Sequence, residues 1–210
     1  MLPGSTYIYE CPNCQNKIAN GSLMSGNTFG AIHYSDGFMH APMLPEFTAI
    51  TKCKKCDTIF WLKNNSEITE LKPFADTNSN FDDVQNAEFL NIEEYNLALE
   101  QKIYSSTEEE MYLRQHLLWS INSTERGKNK IIPNFKYKKI KQKNTEKLLE
   151  ILDLNIPEQR ILVAELHRNS GNFEKCMEVL DNLEGFEKIK NQFKIECEKK
   201  NTKVFQLTNK

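Results

Sequence analysis

The chain has 210 residues, with 39% hydrophobic and 27% charged side chains and a formal net charge of -2. That length suits one or two globular domains with a core of their own, so the fold need not depend on metal throughout. The balanced charge argues against a dedicated nucleic-acid binder, and no apolar run reaches the ~20 residues of a membrane-spanning helix.

The opening Met1-Leu2-Pro3-Gly4-Ser5-Thr6 lacks the basic start and apolar stretch of a signal peptide, which makes the cytoplasm the expected compartment. There the six cysteines are expected to stay reduced, and paired Cys-x-x-Cys motifs favour metal over disulfides. Two such pairs are present, Cys11-Pro12-Asn13-Cys14 and Cys53-Lys54-Lys55-Cys56. Each pair presents two thiolates to one side of a metal. Together they complete a tetrahedral four-sulfur shell, for which zinc is the best-suited ion. One structural zinc held by Cys11, Cys14, Cys53 and Cys56 is therefore expected.

Tyr7-Ile8-Tyr9 leads into the first pair as a short strand, and Thr58 to Leu62 follows the second as a β-rich run. Knuckle, strands, knuckle and strand is the plan of a zinc ribbon. Lys17, Lys52, Lys54 and Lys55 flank the cysteines and can offset the cluster's formal charge of about -2. Gln15 and Asp57 stand where many ribbons have glycine. A thioredoxin-like redox site would need its first cysteine at a helix N-terminus. Here the chain runs instead into Asn20-Gly21-Ser22, a poor helix, and a second pair would be left unexplained.

Thirty-eight residues separate Cys14 from Cys53. Ser25 to Gly30 reads as a plain loop, because no Gly-Lys-Ser/Thr and no helix follow it. Asp36-Gly37 is a two-residue hairpin signal that predicts Tyr34 opposite Met39 and His33 opposite His40. In that register the two histidines share a face and pose the question of a second metal site, although two ligands alone rarely make one. An exposed polar face is the plainer expectation. Ala41 to Pro45 is a stiff apolar loop, expected to pack on something or to meet a partner.

Residues 64–66 and 73–80 read as linker, placing a ribbon-like module over 1–72 and a helical domain over 81–210. Ile92, Tyr95, Leu99 and Ile103 form one helical stripe. Ser106-Thr107-Glu108-Glu109-Glu110 starts a helix that carries Leu113, Leu117, Leu118 and Ile121 inward. His116 on that helix is expected to be a surface or core residue, not a ligand. Residues 126–143 read as a basic loop broken at Pro133, with a further helix from Asn144. Nine basic residues between Arg126 and Lys147 balance nine acidic ones between Asp82 and Glu110. Solvated faces are the plain reading, and recruitment of an acidic partner the sharper one.

Pro157 opens a helix over Ile161, Leu162, Ala164 and Leu166. Gly171-Asn172 breaks it, and Phe173 opens a second helix over Cys176, Val179 and Leu180. This pair resembles a tetratricopeptide repeat. Its small residues fall on Ala164 and Cys176 and its turn on Gly171, Asn172 and Phe173. Arg160 and His167 depart from the aromatic positions of the repeat. Phe186, Ile189, Phe193 and Cys197 line a last helix, and Val204 to Leu207 reads as a terminal strand or extended tail.

The whole chain also resembles an uncharacterised bacterial family that joins a four-cysteine ribbon-like module to tetratricopeptide-like helices. The resemblance is carried by both cysteine pairs, the Ser-Gly-Asn-Thr-Phe-Gly and Ser-Asp-Gly loops, Ala-Pro-Met-Leu-Pro and Arg-Ile-Leu-Val-Ala-Glu-Leu. It implies an α+β architecture and no activity. Three functions follow in order: a zinc-stabilised scaffold that binds a protein or peptide, a nucleic-acid-binding ribbon protein, and an enzyme. The nucleic-acid reading rests on the knuckle lysines and on Phe135 and Tyr137 among Lys136, Lys138 and Lys139. The enzyme reading rests only on His33, Ser35, Asp36 and His40 near one turn. A membrane role is not expected.

Overall fold

The computed structural model describes residues 1–63, 66–73, 81, 84–126 and 135–208, with backbone alone at 124, 125, 135 and 136. Most of the expected linker over 64–66 and 73–80, and Pro133 with its neighbours in 127–134, lie outside them. The architecture is α+β, with small sheets and, among the described residues, six helices. Contacts divide the chain into two compact units. The first is Met1–Ala31 with Ala41–Ile103, and the second is Ile32–His40 with Tyr104–Lys210. The hairpin between the two cysteine pairs therefore belongs with the helices, and the first helix belongs with the strands.

In the first unit, β1 (Leu2–Pro3) pairs with β4 (Leu23–Ser25). β2 (Thr6–Glu10) lies between β3 (Lys17–Asn20) and β9 (Glu67–Leu71), antiparallel to both. β10 (Gln85–Asn86) adds parallel to β3 and completes a four-stranded sheet. The chain around the expected linker thus contributes strands on both sides of it. β7 (Ile50–Lys52) and β8 (Ile59–Trp61) make a hairpin that carries the second cysteine pair at its turn. Ile8, Ile18 and Ile50 are fully buried, and Ile18 packs with Phe60, Cys11 and Cys53. The apolar loop after Ala41 packs within its own unit. Asn27 N–H donates to the Met43 carbonyl at 3.3 Å, and Leu44 lies against Gly26.

α1 (Ile92–Glu100) begins at a reciprocal cap: Asn91 Oδ1 accepts from Glu94 N–H, and the Glu94 carboxylate accepts from Asn91 N–H, both at 2.9 Å. Its buried face is Tyr95 and Ala98. Trp61 Nε1 donates to the Ile103 carbonyl at 2.8 Å, tying the end of this segment to β8.

The second unit contains β5 (Ile32–Tyr34), β6 (Met39–His40), α2 (Thr107–Arg126), α3 (Phe135–Ile151), α4 (Pro157–Asn169), α5 (Phe173–Asp181), α6 (Glu187–Glu198) and β11 (Gln206–Leu207). The expected stripe of α2 is buried at Leu113, Leu117, Leu118 and Ile121. His116 is buried too, its ring 4.0 Å from that of Tyr112 and 4.9 Å from that of Trp119. α3 starts at Phe135, not at Asn144, so the second half of the expected basic loop is helix. Its central buried residue is Asn144, which donates to the Arg114 carbonyl at 2.8 Å. A polar residue at that position hides the apolar period. α4 and α5 pack as a pair joined through Gly171 at φ 79, with Ala164 and Cys176 buried against Leu180, Leu183 and Phe193.

Candidate metal centre and the buried hairpin turn

The two cysteine pairs fold into matching knuckles. Gln15 N–H donates to the Cys11 carbonyl at 2.9 Å, and Asp57 N–H donates to the Cys53 carbonyl at 2.8 Å. Cys11 N–H reaches the Asn16 carbonyl and Cys53 N–H the Thr58 carbonyl, each at 2.9 Å. Closing so tight a turn puts the residue after the second cysteine into the left-handed region. Gln15 and Asp57 both have φ 58. No helix follows Cys14; the next element is β3.

The knuckles bring Cys11, Cys14, Cys53 and Cys56 together, with all four sulfurs within 4.8 Å of one another. Cys11 and Cys56 sulfurs are 3.6 Å apart, as are those of Cys14 and Cys53. Four sulfurs placed about 2.3 Å from a common centre would be about 3.8 Å apart, the edge of a tetrahedron. The four cysteines can therefore hold one metal ion. Cys11 and Cys53 are buried, and Cys14 and Cys56 are half-buried.

In the metal-free chain the thiols are unequal. Burial raises the Cys11 pKa. For Cys14, the Asn16 backbone N–H favours the thiolate, but burial and the thiols of Cys56, Cys53 and Cys11 outweigh it and raise the pKa to about 12. Cys56 is lowered to about 6, first by the Thr58 hydroxyl 3.2 Å away and then by the Thr58 backbone N–H.

Further residues surround this centre, and spacing alone gave no sign of Gln85 or Thr51. Gln85, on β10, spans both knuckles. Its Oε1 accepts from Lys54 N–H at 2.9 Å and from Asn16 Nδ2 at 3.4 Å, and its Nε2 donates to the Lys52 carbonyl at 2.9 Å. Thr51 Oγ1 donates to the Glu88 carbonyl at 2.9 Å and accepts from Glu88 N–H at 3.1 Å. Of the flanking lysines, Lys52 pairs with Glu94 at 2.7 Å and Asp57 at 3.3 Å, and Lys54 with Glu88 at 2.6 Å. Both of these lysines are engaged by carboxylates.

The other expected candidates lie in the second unit. The hairpin register differs by one residue from the expectation: His33 faces Met39 and Ile32 faces His40. Tyr34 N–H donates to the Phe38 carbonyl at 2.9 Å, so Ser35, Asp36 and Gly37 form a three-residue loop. The favoured two-residue turns need positive φ at the first central position, here Asp36, and type I′ at both. Only Gly37, at φ 79, adopts it. Asp36 instead accepts from Phe38 N–H at 3.2 Å. The slip puts His33 and His40 on opposite faces, both exposed, so they do not form a second metal site.

Ser35 and Asp36 are buried, 1% and 0% exposed. Asp36 forms an ion pair with Arg126 of α2, accepts from Asn122 Nδ2 at 2.8 Å, and through its carbonyl accepts from Trp119 Nε1 at 3.0 Å. Ser35 Oγ donates to Glu165 Oε1 at 2.8 Å. Glu165 and Arg168 of α4 form an ion pair that is 0% exposed at both side chains. Arg168 also donates to the carbonyls of Asn201 and Lys203. Nothing in the hairpin sets histidine, serine and aspartate around a common point, so the residues behind the enzyme reading are not assembled.

Comparison with protein-family models, curated proteins and solved structures found no match. Among the described residues no helix is long and apolar enough to cross a membrane.

Proposed function

We propose that the chain is a zinc-stabilised protein-interaction scaffold of the cytoplasm. The observation that carries the metal half is the closed set of four protein sulfurs. Soft thiolates at tetrahedral spacing suit Zn2+, and four of them leave no position for a substrate or a reactive water. The metal's work there is structural: it joins two knuckles from distant parts of the chain and so fixes β2, β3, β7 and β8. The paired helices α4 and α5, with small residues Ala164 and Cys176 at the contact, support a tetratricopeptide-like reading of the second unit. Stacked helix pairs of that kind bind peptides.

A nucleic-acid reading stands second, on the exposed Lys138, Lys139 and Lys143 of α3. It is weakened at the knuckles, where Lys52 and Lys54 are paired with carboxylates.

Elemental analysis of purified protein tests the metal half. About one zinc per chain is expected, falling to background in the combined Cys14→Ser and Cys56→Ser variant. A native, folded and metal-free chain overturns it. Gel shifts with mixed DNA and RNA near physiological salt test the order of the two readings. Submicromolar, salt-sensitive binding lost with Lys138 and Lys139 promotes the nucleic-acid reading.

A further inference from the structure

The hairpin turn is held by the helical unit in the way that proteins hold peptides. β11 adds to β5 as a third strand, pairing Gln206 with Tyr34 and Leu207 with His33, and Ser35 N–H donates to the Phe205 carbonyl at 2.9 Å. Strand addition of this kind supplies affinity from the main chain, while side-chain pockets supply selectivity. The pockets here are polar. Arg126 and Asn122 take the Asp36 carboxylate, and Trp119 takes its carbonyl. Glu165 takes the Ser35 hydroxyl, which in turn accepts from Phe205 N–H at 3.1 Å. The Arg126 guanidinium stacks 4.5 Å from the Phe38 ring centre and 4.8 Å from that of Tyr34.

Full burial is confined to the tip, while β11, Arg126 and Trp119 also contact the arms at Tyr34 and Phe38. Ser35 and Asp36 are buried, Gly37 is exposed, and the arms are half-buried or exposed, including both histidines. The strands are three and two residues long. A two-stranded hairpin of that size is marginal by itself, so its form depends on the seat that receives it. The fit is also incomplete. Asn122 is 0% exposed, yet among the described residues its Oδ1 has no hydrogen-bond partner. The seat therefore offers one buried acceptor that this hairpin does not use.

We propose that this seat, built from Trp119, Asn122, Arg126, Glu165 and β11, is a recognition site for acidic turns of partner proteins. The hairpin of the chain itself is its resident, displaceable occupant. The partner class is a protein that presents a Ser-Asp turn flanked by aromatic residues. This deepens the scaffold reading and rests on its interaction half, not on the metal.

The test uses the full chain carrying Ser35→Ala and Asp36→Ala, which empties both pockets, and a fluorescent cyclic peptide of residues 31–41 as probe. The peptide should bind this variant at least tenfold more tightly than it binds the wild-type chain, where the resident hairpin competes. Replacing the peptide's aspartate by asparagine, or adding Arg126→Ala to the chain, should abolish the difference. A folded variant that ignores the peptide overturns the proposal.

Hydrogen exchange on the wild-type chain decides the case if the variant does not fold. The amides of Tyr34, Ser35 and Gly37 should exchange well before the core amides of α4. If they exchange only with global unfolding, the hairpin is a fixed strut and the seat is not available to a partner. Either failure leaves zinc content and partner capture by other surfaces to be judged by their own assays.

Discussion

Gln15 and Asp57 occupy equivalent backbone positions 42 residues apart in sequence, each at φ 58 in the turn that closes its knuckle. Neither is glycine, although Asp57, with its short polar side chain, tolerates this conformation better than Gln15 does. A side chain there costs ~1–2 kcal/mol relative to glycine, before the extra chain entropy that glycine loses on folding.

Gln15→Gly is accordingly expected to raise the stability of the metal-loaded chain by about 0.5–1 kcal/mol, and Gln15→Val to lower it. Asp57→Gly should act in the same direction, because the Asp57 side chain is 82% exposed and its ion pair with Lys52 contributes little. Denaturant unfolding of the three variants measures this. A loss of stability in both glycine variants would show that the turn is held by something other than its backbone.

Gln85 closes the gap between the knuckles, so its loss should be felt by the metal. Gln85→Ala removes the acceptor for Lys54 N–H and the donor to the Lys52 carbonyl. The expected cost is about 1–3 kcal/mol, with faster transfer of zinc to a chelator. Gln85→Glu keeps the acceptor but sets an oxygen against the Lys52 carbonyl and adds negative charge beside the thiolates, so it should release metal faster still. Equal transfer rates for the wild type and both variants would remove Gln85 from the centre.

The contrast between what spacing could and could not find has a physical basis. The four-cysteine cluster was legible because Cys-x-x-Cys is local chemistry: two thiols on one turn need no knowledge of the rest of the fold. The α2 stripe and the Gly171 turn were legible for the same reason. Gln85 was not, because its partner Lys54 is 31 positions away and a glutamine carries no periodic signal. The place of the hairpin was hidden too. Asp36 and Arg126 meet across 90 positions, and that ion pair, with Asn122, draws the turn into the helices. The same contacts hold Asp36 out of the left-handed region and shift the register by one. The first half of α3 escaped because lysines crowd it and the buried residue that follows is Asn144, so polarity imitated a loop up to that point.

Proton competition at the metal centre should have a break. In the metal-free chain Cys11 is raised and Cys14 sits at about 12, so both carry protons at neutral pH, whereas Cys56, at about 6, carries few. Binding depresses thiol pKa values, so its stabilisation is present at high pH and is lost as pH falls. The logarithm of zinc affinity should therefore fall by at least two per pH unit near neutrality. It should steepen by about one more as the pH drops through about 6, where Cys56 takes up its proton in the metal-free chain. Chelator competition between about pH 5 and 8 reads the slopes. Thr58→Ala removes the hydroxyl that favours the Cys56 thiolate and should move the break upward. A single slope, unchanged in Thr58→Ala, would refute the assignment.

The last expectation concerns Glu165 and Arg168, which meet with both side chains 0% exposed. Arg168 Nε donates to Glu165 Oε2 at 2.9 Å, and its terminal nitrogen donates to Oε1 at 2.6 Å. Ser35 and Asn169 donate to the same oxygen. Burial nevertheless pushes the Glu165 pKa up, against the opposing pull of Arg168 and these donors. Neither charge has water to fall back on, so removing one partner should cost far more than removing both. Glu165→Gln leaves Arg168 buried without a counter-charge and should destabilise the chain by about 3–5 kcal/mol. Arg168→Met should cost a similar amount at neutral pH and also free the carbonyls of Asn201 and Lys203, loosening the tail that carries β11. The two single variants separate in their pH dependence. Without Arg168, burial raises the Glu165 pKa further. A carboxyl with a raised folded-state pKa supports folding fully below its unfolded value and progressively less as pH climbs through the folded one. Arg168→Met should therefore recover stability in mild acid, and Glu165→Gln should not. The double variant should cost clearly less than the sum of the singles, because it leaves no buried charge at all. Urea unfolding of the four proteins at about pH 7 and about pH 5 completes the cycle. Additive costs with no pH dependence in Arg168→Met would mean that the two side chains do not act as a pair.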